Sequence, residues 1–303
     1  ALAFDTSGQI MAATEQGGIK RWNGTAWISI NAGLQTGCGI PIPIRALAVD
    51  PAGNYYAGAH GYTSCFTKGD LYHFDGTSWV SIAAGLTNTN VNSLAIHPLN
   101  GALYAGTEAG VFRYDGIGWT AFNAGLSDTI VHKIVFNAAG DLWAATDGGI
   151  SVLSANASNW TSLNNGLNGI PVHAIAIDQD PAHLIISSGY SIEQTGSLYG
   201  QLFETFDAGN HWSPIAPNIE STVINHVAFT GNNHCFALGW GIFRTTDNGQ
   251  SWAAANNGFS AKTFNTQGRV AVSAAPNRAL FYGSDDGLFR STDNGLSWTM
   301  ARR

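Results

Sequence analysis

Charge is scarce in this chain. Of its 303 residues, 11% are charged, against about a quarter in an ordinary globular protein. Such a chain is neither disordered nor a coiled coil nor a long helical bundle. Basic residues number 13 and the net charge is −7, which argues against nucleic acid as a partner. No apolar run approaches the 18 residues that a membrane-spanning helix requires. Cysteine is limited to three residues, Cys38, Cys65 and Cys235. No HExxH, CxxC or EF-hand spacing points to a metal, and no GxSxG elbow or phosphate-binding glycine loop occurs. We expect no cofactor.

What the chain has in abundance is glycine (37) and aromatic residues (10 Trp, 9 Tyr and 15 Phe), and they recur in a pattern. The stretches LAVDPAGNYYAGA from Leu47, LAIHPLNGALYAGT from Leu94 and IVFNAAGDLWAAT from Ile134 align with one another. Each is an apolar run, a turn and a second apolar run. A hairpin such as GVFRYDGIGW follows, and then a tail such as NAGL. Trp27, Trp79, Trp119, Trp160, Trp212, Trp252 and Trp298 mark seven units of this kind. Four short runs per unit, separated by Gly, Asn and Asp turns, read as antiparallel strands. A repeat of about 40 residues with four strands is the period of a propeller blade. The expected fold is therefore all-β, a seven-bladed β-propeller of four-stranded antiparallel blades. The whole of 1–303 is expected to form one domain, with blades near 1–34, 35–86, 87–126, 127–167, 168–219, 220–259 and 260–303. The seven in-frame tryptophans are expected to bury their rings between blades.

The hairpins resemble the Asp-box, [ST]-x-D-x-G-x-[ST]-W, of bacterial-neuraminidase-type repeats. Residues 245–252 read TTDNGQSW and residues 291–298 read STDNGLSW; residues 205–212, TFDAGNHW, carry His211 in place of Ser or Thr. The shorter FDGTSW and YDGIGW of the second and third units are more similar to two-component-regulator propeller repeats. The resemblance implies the propeller fold over the whole chain and leaves function open. Asp-box propellers include sialidases, xyloglucan-active endoglucanases, sortilin-type receptors, photosystem II assembly factors and lectins, and the Asp-box usually lies away from the ligand. Neither an FRIP-like motif nor a sialidase-type arginine triad is present: Arg113, Arg244 and Arg290 recur in the hairpin context FR[YTS]. Xyloglucan-active relatives use a cleft between two propellers, and this chain supplies one.

With strands labelled A to D from the axis outward, the extra length of the longer blades falls at 35–44, 60–68, 188–200 and 256–268. All four stretches belong to B–C or D–A connections, on one face. Long loops on one side of a rigid scaffold point to function. Cys38 and Cys65 lie in two of these loops, and a Cys38–Cys65 disulfide is expected there. Cys235 reads as a buried free thiol on a B strand. A disulfide and a chain starting at Ala1 fit a secreted or periplasmic protein. The position of the ends fits a fragment of a longer chain, so further domains are expected partners in the parent protein. The loop face is net acidic, which disfavours polyanions and suits neutral sugars, cations or a basic protein.

Two constellations on that face are candidate sites. Arg45, Asn92, His132, His173 and Asn225 align where strand A begins, beside the channel. Polar groups converging on a pore form a pocket; alternatively they bind channel water and neighbouring carbonyls. Trp240, Tyr62 and Tyr190 lie in B–C connections and offer stacking surfaces for a sugar ring. Glu108 and Asp147, or His132 and His173, are the candidate catalytic groups, although Glu108 and Asp147 also fit a repeated T-[ED]-x-G turn. Three functions remain open: a carbohydrate-binding, lectin-like propeller, a glycoside hydrolase or lyase, and a scaffold or sensor domain for a protein ligand.

Overall fold

A computed structural model of the chain describes residues 1–14, 18–23, 25–34, 42–61, 69–192, 197–215, 219, 224–231, 234–239, 241–259, 269–272, 279–284 and 287–301. They form 28 strands in seven four-stranded sheets, each built in chain order from four consecutive strands. The first sheet holds β1 (Leu2–Phe4), β2 (Ile10–Thr14), β3 (Gly18–Trp22) and β4 (Trp27–Ser29). The second holds β5 (Ile44–Val49), β6 (Tyr55–Ala59), β7 (Leu71–Phe74) and β8 (Trp79–Ser81). The third holds β9 (Val91–Ile96), β10 (Leu103–Thr107), β11 (Gly110–Tyr114) and β12 (Trp119–Ala121). The fourth holds β13 (Val131–Phe136), β14 (Leu142–Thr146), β15 (Gly149–Leu153) and β16 (Thr161–Ser162). The fifth holds β17 (Val172–Ile177), β18 (Leu184–Ile192), β19 (Ser197–Thr205) and β20 (Ser213–Ile215). The sixth holds β21 (His226–Gly231), β22 (His234–Gly239), β23 (Gly241–Thr245) and β24 (Ala253–Ala254). The seventh holds β25 (Arg269–Val272), β26 (Leu280–Ser284), β27 (Gly287–Ser291) and β28 (Thr299–Met300). The fold is a seven-bladed β-propeller. The chain divides into two compact units, Ala1–Ala144 with Val152–Thr161 and Ala145–Ser151 with Ser162–Arg303.

Burial follows each strand's place in its blade. β5 alternates buried and half-buried residues, as a strand with one packed face does. β10 and β14 are buried at all five positions, because both of their faces are covered; their sequences, LYAGT and LWAAT, are accordingly small or apolar throughout. The fourth strands are two or three residues long and largely exposed; β8 and β12 begin with a buried Trp.

The recurring NAGL tail joins one blade to the next. Its Asn turns back onto its own blade: the Oδ1 of Asn31, Asn123, Asn164 and Asn256 accepts the N–H of Ile19, Val111, Ile150 and Ile242 at 2.6–2.9 Å. The second blade has Ala83 at this position, and Asp70 replaces the missing amide by accepting the Leu71 N–H at 2.7 Å. The next residue of the tail points its carbonyl to the following blade. Ala32, Ala84, Ala124, Asn165 and Asn257 accept the backbone N–H of Trp79, Trp119, Trp160, Trp212 and Trp298. The indoles of the same five tryptophans donate to Ile30, Ile82, Phe122, Leu163 and Ala255. The Gly of the tail touches the Trp carbonyl so closely that a Cβ would clash, at 2.4 Å for Gly125 against Trp160.

The hairpins between the third and fourth strands are closed by their acids. In the fifth, sixth and seventh blades, Thr205, Thr245 and Ser291 donate to Asp207, Asp247 and Asp293 and accept the N–H of Gly209, Gly249 and Gly295. Asp75 and Asp115 cap the shorter turns through two backbone N–H groups each. Arg244 donates to the carbonyl of Asn294 in the following hairpin, in keeping with the placement of these arginines near the hairpins.

Two expectations need correction. Six in-frame tryptophans are buried, but Trp27 is only half-buried, its ring leaning on Trp22 of the same sheet at 5.5 Å. The extra length at 188–200 is not a free loop: β18 and β19 are nine residues each and stay in register from Leu184↔Thr205 to Ile192↔Ser197. The insertion lengthens the ladder, because the added residues satisfy their backbone groups by continuing the pairing. Cys235 is buried on β22 as expected, and burial pushes its thiol up.

Candidate functional site

The turns that follow the second strands place His60, Glu108 and Asp147 at equivalent points of three consecutive blades. Where its neighbours carry acids, the second blade carries a histidine. His60 and Glu108, both in the first unit, meet: Nε2 lies 3.2 Å from Glu108 Oε1, and the side chains are 21% and 37% exposed. Asn90, in the connection leading into β9, donates from Nδ2 to the other carboxylate oxygen at 2.8 Å. Its Oδ1 accepts the Gly61 N–H at 2.9 Å. Asn90 itself is held by the Asn88 side chain, which accepts its N–H at 2.8 Å. His60 Nδ1 lies 3.1 Å from the Gly61 carbonyl, so both ring nitrogens face acceptors.

Electrostatics keep Glu108 ionised. Burial pushes its carboxyl up. The hydrogen bonds from Asn90 and His60 and the charges of His60 and Arg45 outweigh burial and bring it below its ordinary value. The result is a fixed carboxylate flanked by an amide, an imidazole and a guanidinium, partly open to solvent.

Arg45 reaches this region because of a β-bulge. Register between β5 and β6 passes from Ile44↔Ala59 to Ala46↔Gly58, leaving Arg45 as the extra residue. Asn92 is the extra residue between Val91 and Ser93, and His173 between Val172 and Ala174. A bulge re-aims its residue out of the strand's alternation. This explains how polar side chains begin otherwise apolar strands.

The expected ring and catalytic residues divide between the units: Arg45, Asn92, Glu108 and His132 belong to the first, Asp147, His173 and Asn225 to the second. Asn92 Nδ2 donates to the Val131 carbonyl of the next blade at 3.0 Å, so this amide binds a neighbouring carbonyl. His173 Nε2 lies 2.8 Å from the Gly189 carbonyl. His132 and Asp147 are half-buried and Asn225 is exposed. Tyr190 pairs with Tyr199 in the long ladder. Tyr62, Trp240, Cys38 and Cys65 lie outside the described residues. Among the described residues no group of three His, Cys, Asp or Glu side chains is arranged to hold a metal, and no helix is long and apolar enough to cross a membrane.

Several solved structures share the fold. A GH74 xyloglucanase from Xanthomonas campestris superposes with a TM-score of 0.74 at 19% identity, over 98% of this chain and 53% of that one. The extracellular domain of a putative one-component system from B. thetaiotaomicron superposes at 0.72 with 14% identity, over 96% of this chain and 38% of that one. YCF48 bound to D1 peptide superposes at 0.67 with 12% identity, over 99% of this chain and 92% of that one. The chain thus spans about half the length of the xyloglucanase and less of the sensor domain. No protein-family model matches it, and no curated protein does. At these identities the likeness establishes the propeller and nothing finer.

His60 and Asn90 were not among the sequence candidates. The signal for His60 was present, as a lone histidine in a row of acids at a repeated position. Asn90 carried no such signal, because asparagine is common throughout the connections.

Proposed function

We propose that the chain is a ligand-binding propeller that takes carbohydrate on the face bearing His60, Asn90 and Glu108, as a secreted domain of Asp-box type. The observation that carries this reading is the fixed carboxylate–amide–imidazole cluster beside Arg45. Adjacent hydroxyls of a sugar ring each need a donor and an acceptor, and this cluster presents both within one patch. Tyr62, two residues after His60 in the chain, and separately Trp240 of the second unit are the candidate stacking residues, and a Cys38–Cys65 disulfide is part of the proposal. Support comes also from fold likeness to a xyloglucanase and to extracellular sensor domains.

The state of Glu108 speaks against its serving as the general acid of a glycosidic cleavage. Glycosidic cleavage needs one carboxyl kept protonated as an acid, whereas the surroundings of Glu108 hold it ionised. The test is a glycan array of neutral plant and bacterial polysaccharides, with wild type beside Glu108→Gln, Asn90→Ala and Trp240→Ala. A hydrogen bond to a charged group is worth about 1.5–3 kcal/mol, so Glu108→Gln is expected to weaken binding about 10- to 150-fold. An array blank for wild type refutes carbohydrate recognition and leaves a protein ligand. Release of reducing sugar that is abolished in Glu108→Gln refutes the choice of binding over catalysis.

A further inference from the structure

Glu204, on β19, is an anomaly in the row of residues that precede the hairpins. The equivalent places in the sixth and seventh blades hold Arg244 and Arg290. Arg244 shows what the position does: it donates to the backbone carbonyl of Asn294, in the hairpin turn of the following blade. Glu204 faces the corresponding turn of the sixth blade. Its Oε2 is 3.0 Å from where a Cβ on Gly249 would stand, and Ile215 lies against the same point. That oxygen is buried and has no hydrogen-bond partner. The residue before Gly249, Asn248, also leaves its Oδ1 buried without one.

An ionised Glu204 would leave this buried oxygen unpaired beside Gly249 and Ile215, whereas a neutral carboxyl has one O–H to donate. We propose that Glu204 is a protonation-dependent latch between the fifth and sixth blades. Its neutral carboxyl seats the β23–β24 hairpin, and its ionised form loosens that hairpin.

The charged groups on the packed elements are committed elsewhere. Asp247 is bound by Thr245 and Ser251, Arg244 reaches forward to Asn294, and on the Glu204 hairpin Asp207 pairs with His211. Burial alone pushes the Glu204 carboxyl up to about 7. With a native value above the ordinary one, the native state holds the proton more tightly than the unfolded chain. Stability is therefore full below the ordinary glutamate range and falls as pH rises towards about 7.

The experiment is thermal unfolding of the full chain from pH 5 to pH 8.5 for wild type, Glu204→Gln and Glu204→Arg, with hydrogen exchange read at the Gly249 amide. Glu204→Gln keeps a donor at every pH, and Glu204→Arg introduces the residue type of the sixth and seventh blades. Relative to both variants, wild-type Tm is expected to fall by about 2–4 °C across this range, with the protection of the Gly249 amide, corrected for intrinsic exchange, falling in wild type alone. Parallel pH profiles for all three proteins would overturn the latch. So would a rise in wild-type Tm at pH 8 on adding calcium or potassium that Glu204→Gln lacks, since the oxygens would then hold a cation instead of a proton.

Discussion

The contact between each tail glycine and the next blade's tryptophan can be isolated by comparing two alanine substitutions in the third blade. Gly116 and Gly125 both have positive φ, +95° and +85°. An alanine at either position meets the same left-handed penalty, about 1–2 kcal/mol. A Cβ on Gly116 would meet nothing within 4 Å, whereas one on Gly125 would lie 2.4 Å from the Trp160 carbonyl oxygen. That oxygen cannot swing away, because Trp160 is tied to the third blade by its backbone N–H on Ala124 at 2.8 Å and its indole on Phe122 at 2.6 Å. Relieving the clash requires the blades to part by roughly 0.8 Å, enough to weaken both hydrogen bonds at about 1 kcal/mol each. A gap of that size also forfeits a quarter to a half of the dispersion energy of the atoms lining it. Gly125→Ala should therefore destabilise by about 3–5 kcal/mol, and Gly116→Ala by about 1–2 kcal/mol. Denaturant unfolding followed by tryptophan fluorescence measures both. If the two variants agree within about 0.5 kcal/mol, the tail glycine is needed for its backbone conformation alone and the inter-blade argument fails.

Two further outcomes follow from the hydrogen bonds. Asn123→Ala strips the Val111 N–H and the Ala109 carbonyl of their partner and should destabilise by about 1–3 kcal/mol; a change below 0.5 kcal/mol would mean that water replaces the amide. Hydrogen bonds from Ser297 lead those that hold Asp293 down at about 2. Its native value is depressed, so its contribution is present above the ordinary carboxylate range and is lost as pH falls towards 2. Asp293→Asn should be the less stable protein at pH 6, with the gap closing near pH 2, and a gap independent of pH in acid unfolding would contradict this.

Much of the fold was legible from local pattern. The tryptophan frame, the blade count and the four-strand order were read from runs and turns, and the strands of the third blade lie where the repeat placed them. The fifth blade was misread because SSGYSI and SLYG carry no turn signal that separates a longer ladder from a loop. The role of the NAGL tail was invisible, although the motif was seen, because half of its partners belong to the next blade. Asp70 replaces the asparagine that the second blade lacks, and no local pattern marks it for that role.

The sequence by itself determined how many blades there are and the order of the strands within each. A blade is a chain of hairpins whose hydrogen bonds close over a few residues, so turn chemistry and alternation suffice to encode it. Only the tertiary structure decided which side chains meet across blades. His60 and Glu108 are 48 residues apart in the chain, and Glu204 finds no partner in a place where Arg244 finds one. Such meetings depend on how one sheet packs on the next and on bulges that turn single residues out of register, and no local pattern records either.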